Sequence, residues 1–490
     1  MTGISLSQVV EKFWKIEELP QVLNPNPEEL ECERIFRNGI TRESDGRFMV
    51  RLPFIYYRPQ RGEYKYTAVK CFLNLERRFN ANSQLREKCI IFMREYIDLH
   101  HMSPISYNPS LLEHYYIPHH GVFKADDHSK IRVVFNGSSP NSNGISLNQC
   151  LHTGPKLRRD ITHILLNFRR HAVVFVTDIK MIFRMTWVHP NDRRYQLILW
   201  RESPSALLVT YELATNTYGL RSSPYISIRT LLELAERERS SYPRAAAVLE
   251  NDIYVDDCLT GASSLGEAQI LKTELQSLMA CGGYELRKWI SNEPELLKDI
   301  PLEHLQGPYE FHDPDNPPTI PVLGIQYNPT ADSFTCSFSF KPQKSLTKRT
   351  VLSLIARIYD PCGWISPVVF KAKAFIQRLW MSDLNWDDPL NQSLSDEWLL
   401  FVQDLENIKQ LSIPRRILPA DATSISSHHS LHGFCDASEA GYAAVVYLRT
   451  ESSSGHCSVH LLISKSKIAP IRTRLAIPSW NCKELCSSQN

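Results

Sequence analysis

Two apolar runs in this chain end in carboxylates, and no other feature restricts its fold so tightly. The run "HAVVFVTDI" rises through β-branched and aromatic residues to Asp178, while "NDIYVDD" breaks at Asp256 and Asp257 before "CLTGA" resumes. Both have the length and composition of strands, and the second reads as two strands meeting at a tight turn. A carboxylate closing a buried strand is expensive to desolvate, and two adjacent ones repel. Either the acids sit in a solvated turn or a cation attends them. Taken singly, each is a common turn former. Placed side by side in one sheet, Asp178 and Asp256 would reach one pair of hard cations, as two-metal phosphoryl transfer requires. Mg²⁺ suits such a site because it takes few protein carboxylates and leaves positions for water and phosphate.

Bulk charge gives no polyanion-binding signature, since the 490 residues carry a formal charge of only +2. Any nucleic-acid surface must therefore come from local clustering. Such clusters exist: residues 51–94 hold ten Lys/Arg against three Asp/Glu, and residues 124–201 hold thirteen against five. The plainer reading of each is a solvated basic face. Twelve cysteines lack CxxC pairs, and Cys482 and Cys486 have no His or Cys partners at zinc spacing. Reduced thiols are expected. The N-terminus has no signal-type apolar core and no window approaches a membrane span, so a soluble, intracellular and cytoplasmic setting is expected.

Along the chain, "DGRFMVRLPF" reads as a strand, then come two amphipathic helices at "TAVKCFLNLERRF" and "QLREKCIIFMREYI". "KIRVVFNGSS" is a further strand. "SSPYISIRTLLELAERE" is a helix with Ser223 as its N-cap and Pro224 at its first position. "TKRTVLSLIARIYD" places Val351, Leu354, Ile355 and Ile358 on one helical face, stopped by "PCG", and a second helix opens at Ser366-Pro367. Residues 417–431 read as a linker, and "GFCDASEAGYAAVVYLR" as strand, turn and strand.

In order and wording these stretches resemble a known family. "YVDD", with "VTDIKMIF" and "YGLRSSPY" before it and "GGYELRKWISN" after it, is similar to the motif series of reverse transcriptases. More narrowly, the chain resembles the polyprotein of BEL/Pao LTR retrotransposons. That likeness is carried by "FWKIEELP", "DGRFMVRLPF", "YYIPHHGVFK", "SKIRVVFNGSS", "YVDDCLTGA", "LRKWISN", "LTKRTVLSLIARIYDPCGWISPVVFKAKAFIQRLW" and "GFCDASEAGYAAVVYL".

The resemblance implies an α+β fold: a hand-like reverse transcriptase with fingers, a ferredoxin-like palm and a helical thumb and connection, then a partial RNase H-like α/β domain. Its expected boundaries are an N-terminal mixed region at 1–100, fingers and palm at 101–295, thumb and connection at 296–425 (the stretch labelled a Pao peptidase), and a truncated RNase H-like domain at 426–490. It implies an RNA-directed DNA polymerase with Mg²⁺ or Mn²⁺ as cofactor, dNTPs as substrates, and an RNA template and DNA primer as partners. Asp178 and Asp256 match the metal-binding acids, and Asp257 a supporting acid. Phe183 matches the aromatic packed under the incoming sugar, where it would crowd a 2′-hydroxyl. Gly219, Ser223 and Pro224 match the turn and helix start beneath the nucleotide. Lys130 and Arg132 match finger cations that meet triphosphate oxygens, and Lys288 a palm lysine. Asp436 matches the first carboxylate of a ribonuclease site, with Glu484 as a second.

Departures from the family pattern point to a second reading. The usual "VVFDAS" is "VVFNGS" here, with Asn136 in place of the acid, and "IPRLELC" is "IPSWNCKELC". A degenerate or co-opted remnant that binds nucleic acid without turnover would tolerate both. An aspartic peptidase needs an Asp-Thr/Ser-Gly loop, and the sequence contains none. The helical block is therefore expected to contact nucleic-acid backbone through Lys341, Lys344, Lys348, Arg349 and Lys371.

Overall fold

The computed structural model of the chain describes residues 26–55, 64–106, 113–124, 127–307, 319–336, 338, 345–408, 410–419, 428–452 and 455–470. Within them the chain is mixed α/β, with eleven α-helices and small sheets, none wider than four strands. Among these residues no helix is long and apolar enough to cross a membrane.

The sheet that carries the acids is antiparallel, in the spatial order Ile253–Tyr254, Asp257–Ala262, Val173–Ile179, Leu286–Ser291. Along the chain its first strand is Val173–Ile179. A long excursion ends in helices Ser223–Glu238 and Pro243–Asn251. The hairpin comes next, then helix Leu265–Cys281 and the last strand. Alternation along each strand assigns residues to faces. Phe175 and Ile179 join a core with Leu231, Leu234, Leu275 and Leu278 of those helices. Val174, Val176 and Leu259 join a second core on the opposite face, with Ile164, Leu165, Phe168, Tyr327 and Phe334. Asp178 and Asp257 belong to this second face by parity, at the end where the apolar series stops.

The two expected amphipathic helices are present at Tyr64–Ala81 and Ser83–Asp98, the latter capped by Asn82, whose side chain accepts from the Leu85 N–H. Their buried residues Phe72, Leu75 and Met93 share one core with Val133, Phe135, Leu197, Trp200 and Tyr225. The basic N-terminal helices are thus packed into the same body as the strands and helices later in the chain. The strand within "DGRFMVRLPF" is Phe48–Val50, which runs antiparallel to Thr41–Arg42 and parallel to Trp187–Val188.

Toward the C-terminus, helices Lys348–Ile355, Ser366–Met381 and Gln392–Ile408 enclose a core of Val351, Leu354, Ile355, Phe375, Trp398 and Phe401, with Ile358 packed against it. The first helix ends at Ile355, ahead of the "PCG" stop, because Ala356 already serves as its C-cap. Strands His428–Ser438, Gly441–Glu451 and Cys457–Ile468 form an antiparallel meander. The expected linker is therefore shorter than its composition suggests: residues 420–427 lie outside the described residues, and His428 to Leu431 are already strand.

Two buried arginines tie these parts together. Arg415, fully buried, donates to the carbonyls of Phe168, His171 and Ala172 and forms a forked pair with Asp332. Arg169 donates to the carbonyls of Arg415, Pro414 and Leu461.

Candidate functional site

The register of the four-stranded antiparallel sheet sets the geometry of the acids. Asp257 pairs directly with Asp178 across the two central strands, and Tyr254 pairs with Asp257 to close the hairpin. Val255 and Asp256 are left as the two-residue turn. Such turns need a positive φ in the first or both central residues. Val255 supplies it at φ 59°, an unusual conformation for a β-branched residue and one that clusters at functional sites. The Asp256 carbonyl accepts from the Ile179 N–H at 2.7 Å, so the turn is pinned to the strand that bears Asp178.

The electrostatics arise from this crowding. Burial pushes the Asp257 carboxyl up to about 6, and the neighbouring charges of Asp256 and Asp178 push the same way. Burial also raises Asp256, assisted by Asp178, while Lys288 and Arg132 pull it down. Asp256 and Asp257 therefore both feel the charge of Asp178, and both feel Lys288.

Lys288 sits at a β-bulge in the last strand, between Arg287 and Ile290, with a left-handed φ of 55°. That conformation turns its ammonium onto Asp178 Oδ2 at 2.6 Å. The side chains able to ligate a hard cation here are Asp178 and Asp256, with Asp257 beside them. Among the described residues no group of three or more His, Cys, Asp or Glu side chains is gathered closely enough to cage a metal.

The other expected site residues are spread over several elements. Arg132 lies exposed on strand Asp127–Phe135, near enough for its charge to act on Asp256. Lys130 is exposed two residues earlier on the same strand. Phe183 is half-buried in the short turn Ile182–Met185 after the Asp178 strand, with its ring edge-on to Tyr218 at 6.4 Å. Gly219 adopts φ 97°, and a Cβ there would stand 2.2 Å from the Phe135 carbonyl. The close approach that this position permits is to the end of strand Asp127–Phe135. The helix expected to be capped by Ser223 begins at Ser223, with Ser222 in the cap position. The reason is tertiary: the buried Ser223 hydroxyl donates to the Thr217 carbonyl, and its own carbonyl accepts from Asn216 Nδ2. Pro224 is exposed at the second helical position.

Asp436 is exposed on the edge strand of the C-terminal meander, where its carboxylate accepts from the Ala437 N–H. Its expected companion Glu484 lies outside the described residues, as do Lys341, Lys344, Cys482, Cys486 and the "FWKIEELP" stretch. Lys348 is a correction: it is buried, and its ammonium donates to the Ser382 carbonyl, which removes it from the backbone-contacting cations. Arg349 pairs with Asp387, and Lys371 with Asp404.

Sequence reasoning missed the arginines around the site. Arg158 lies over the Tyr254 ring at 5.6 Å. Arg47 donates to the carbonyls of Arg184 and Met185, and Arg184 donates to His101 Nδ1 and pairs with Glu95. The one available signal was the density of arginine itself, which says nothing about partners.

Comparison with known proteins places one part of the chain. Residues 347–488 match a protein family described as the Pao retrotransposon-like RNaseH-like domain. The match runs through both the helical block and the meander, under a third of the 490 residues, and supports a Pao/BEL retrotransposon polyprotein as the chain's source. No curated protein matches the chain.

Proposed function

We infer that the chain is an RNA-directed DNA polymerase of BEL/Pao retrotransposon type, which joins dNTPs to a primer 3′-hydroxyl. One observation carries the reading: the pairing of Asp257 with Asp178, with Asp256 in the adjoining turn, brings acids from distant segments to one end of one sheet face. The strand order, with two central strands flanked by the hairpin partner and the last strand, supports a ferredoxin-like palm within a hand-like fold, 101–295 being fingers and palm and 296–425 thumb and connection. The family match at 347–488 supports the retroelement setting.

Mg²⁺ or Mn²⁺ would be held by Asp178 and Asp256. The donor set fits, being hard carboxylate oxygens, and beyond the effect of burial the charges of Asp256 and Asp178 push Asp257 up further. Bound there, the ions supply charge neutralisation at the transferring phosphoryl group and make the primer hydroxyl more acidic. The protein's own contribution is positioning and electrostatics. Arg132 and Lys288 bring positive charge to where triphosphate oxygens gather. Phe183 presents an apolar edge against the 2′ position, which disfavours a ribonucleotide. Template and primer are held through phosphates, so binding weakens with salt.

A second reading, a remnant that binds nucleic acid without turnover, draws on the Lys288–Asp178 ion pair and the absence of a ready three-residue cage among the described residues. Primer extension on poly(rA)/oligo(dT) with Mg²⁺ or Mn²⁺ separates the two. The polymerase reading expects dTMP incorporation that Asp256→Asn abolishes. A folded wild type that binds the hybrid but never extends it leaves the remnant.

A further inference from the structure

The turn that bears Phe183 is gripped from two sides by residues that touch none of the acids. From the N-terminal hairpin, Arg47 donates Nε to the Met185 carbonyl at 2.9 Å and Nη2 to the Arg184 carbonyl at 2.6 Å. Its guanidinium lies 3.8 Å from the Trp187 ring centroid. It also borders the turn ahead of the Lys288 strand, where a Cβ on Gly283 (φ 73°) would meet Arg47 Cγ at 2.6 Å. The hairpin strand Phe48–Val50 continues the grip by pairing in parallel with Trp187–Val188, directly after the Phe183 turn.

From the other side, Arg184 turns inward beside Phe183. Its Nε donates to His101 Nδ1 at 2.9 Å, its Nη1 meets Glu95 at 2.6 Å, and its guanidinium lies 4.0 Å from the Tyr96 ring centroid. Burial and the charges of Arg184 and Arg47 drive His101 down to about 3, which keeps its Nδ1 an acceptor across the working pH range. The turn starts from a left-handed Met181 at φ 54°, a conformation that persists only where its surroundings impose it. A turn with a strained entry and carbonyls held by a buried fork has little freedom to shift.

We propose that Arg47 and Glu95 are positioning residues that fix the Phe183 turn, so that the N-terminal hairpin and the helix Ser83–Asp98 set how strictly the enzyme discriminates deoxyribose from ribose. The inference rests on the polymerase reading and extends it, because the discrimination is assigned to residues far from the sugar. A shift of ~1 Å in a positioned group can cost up to about a hundredfold.

The test compares dTTP with UTP incorporation on poly(rA)/oligo(dT) for the wild type, Phe183→Val, Arg47→Met, Arg47→Lys, Glu95→Gln and the Phe183→Val/Arg47→Met pair. Folding is checked by circular dichroism and thermal melting. The expected result is a dTTP/UTP preference that falls about tenfold or more in Phe183→Val and in Arg47→Met, mainly through a lower KM for UTP. Arg47→Lys should be restored only in part, because an ammonium cannot serve both carbonyls. The double variant should lose little beyond Phe183→Val alone. If Arg47→Met does not fold, Glu95→Gln, on a half-exposed side chain, decides the matter. Folded Arg47 and Glu95 variants that extend primers with the wild-type preference overturn the inference while the polymerase reading stands. An unchanged preference in Phe183→Val removes the gate and the inference with it. No extension by the wild type removes the polymerase reading itself.

Discussion

Replacing Asp257 with Asn should stabilise the protein, and the pH dependence of the gain reports the electrostatics of the acid cluster. In the folded chain the Asp257 carboxyl sits at about 6 against an ordinary 3.8. An acid raised in this way is bound more tightly by protons when folded than when unfolded, so its ionisation costs stability above the folded pKa and nothing below the ordinary one. Two units correspond to ~3 kcal/mol, and partial solvent access to the side chain reduces this to about 1–2 kcal/mol. The neutral, nearly isosteric Asn removes that cost. Thermal unfolding in EDTA at pH 7.5 should show a midpoint raised by roughly 2–4 °C per kcal/mol in the unit containing the Asp178–Asp257 sheet. The gain should shrink as the pH falls through 6 and be nearly gone at pH 4. A variant less stable than wild type at pH 7.5, or equally stabilised at both pH values, would refute the reasoning, since the carboxylate would then be satisfied where it stands.

Single contacts give further expectations. Lys288→Met should tighten Mn²⁺ binding in the absence of nucleotide by about two- to fivefold, because an exposed ion pair of up to ~1 kcal/mol no longer competes for Asp178; electron paramagnetic resonance of free Mn²⁺ measures it. Gly219→Ala should destabilise the fold strongly, through both the φ of 97° and the 2.2 Å approach to the Phe135 carbonyl, and should appear as a loss of thermal stability or of soluble protein. Arg415→Met strips three carbonyls and Asp332 of their donor and should cost about 3–5 kcal/mol in urea unfolding of the unit that contains them.

The parts of this structure that could be read from residues are those set by local pattern. Alternation and β-branching located Val173–Ile179, and the break in "IYVDD" located the turn, because both signals are complete within a few residues. The helices Tyr64–Ala81 and Ser83–Asp98 announced themselves by periodicity. What escaped depends on partners distant in sequence or on backbone atoms. Arg47 bonds carbonyls, and a carbonyl carries no residue type to search for. The contact between Lys288 and Asp178 depends on a bulge and a left-handed φ, which a run such as "LRKWIS" does not encode. Ser223 looked like a cap because it precedes a proline, yet its hydroxyl is drawn to Thr217, and the cap position falls to Ser222. Lys348 stood in a basic run that suggested a surface, and packing of its helix turned it inward.

The most direct measurement is anomalous diffraction from Mn²⁺ in crystals of the chain grown with a primer–template and a non-hydrolysable dTTP analogue. Manganese peaks are expected at the end of the sheet that pairs Asp178 with Asp257, in contact with carboxylate oxygens of both Asp178 and Asp256, with the Lys288 ammonium withdrawn from Asp178. Manganese that touches neither aspartate while the nucleotide is bound, or a nucleotide seated away from this turn, would contradict it.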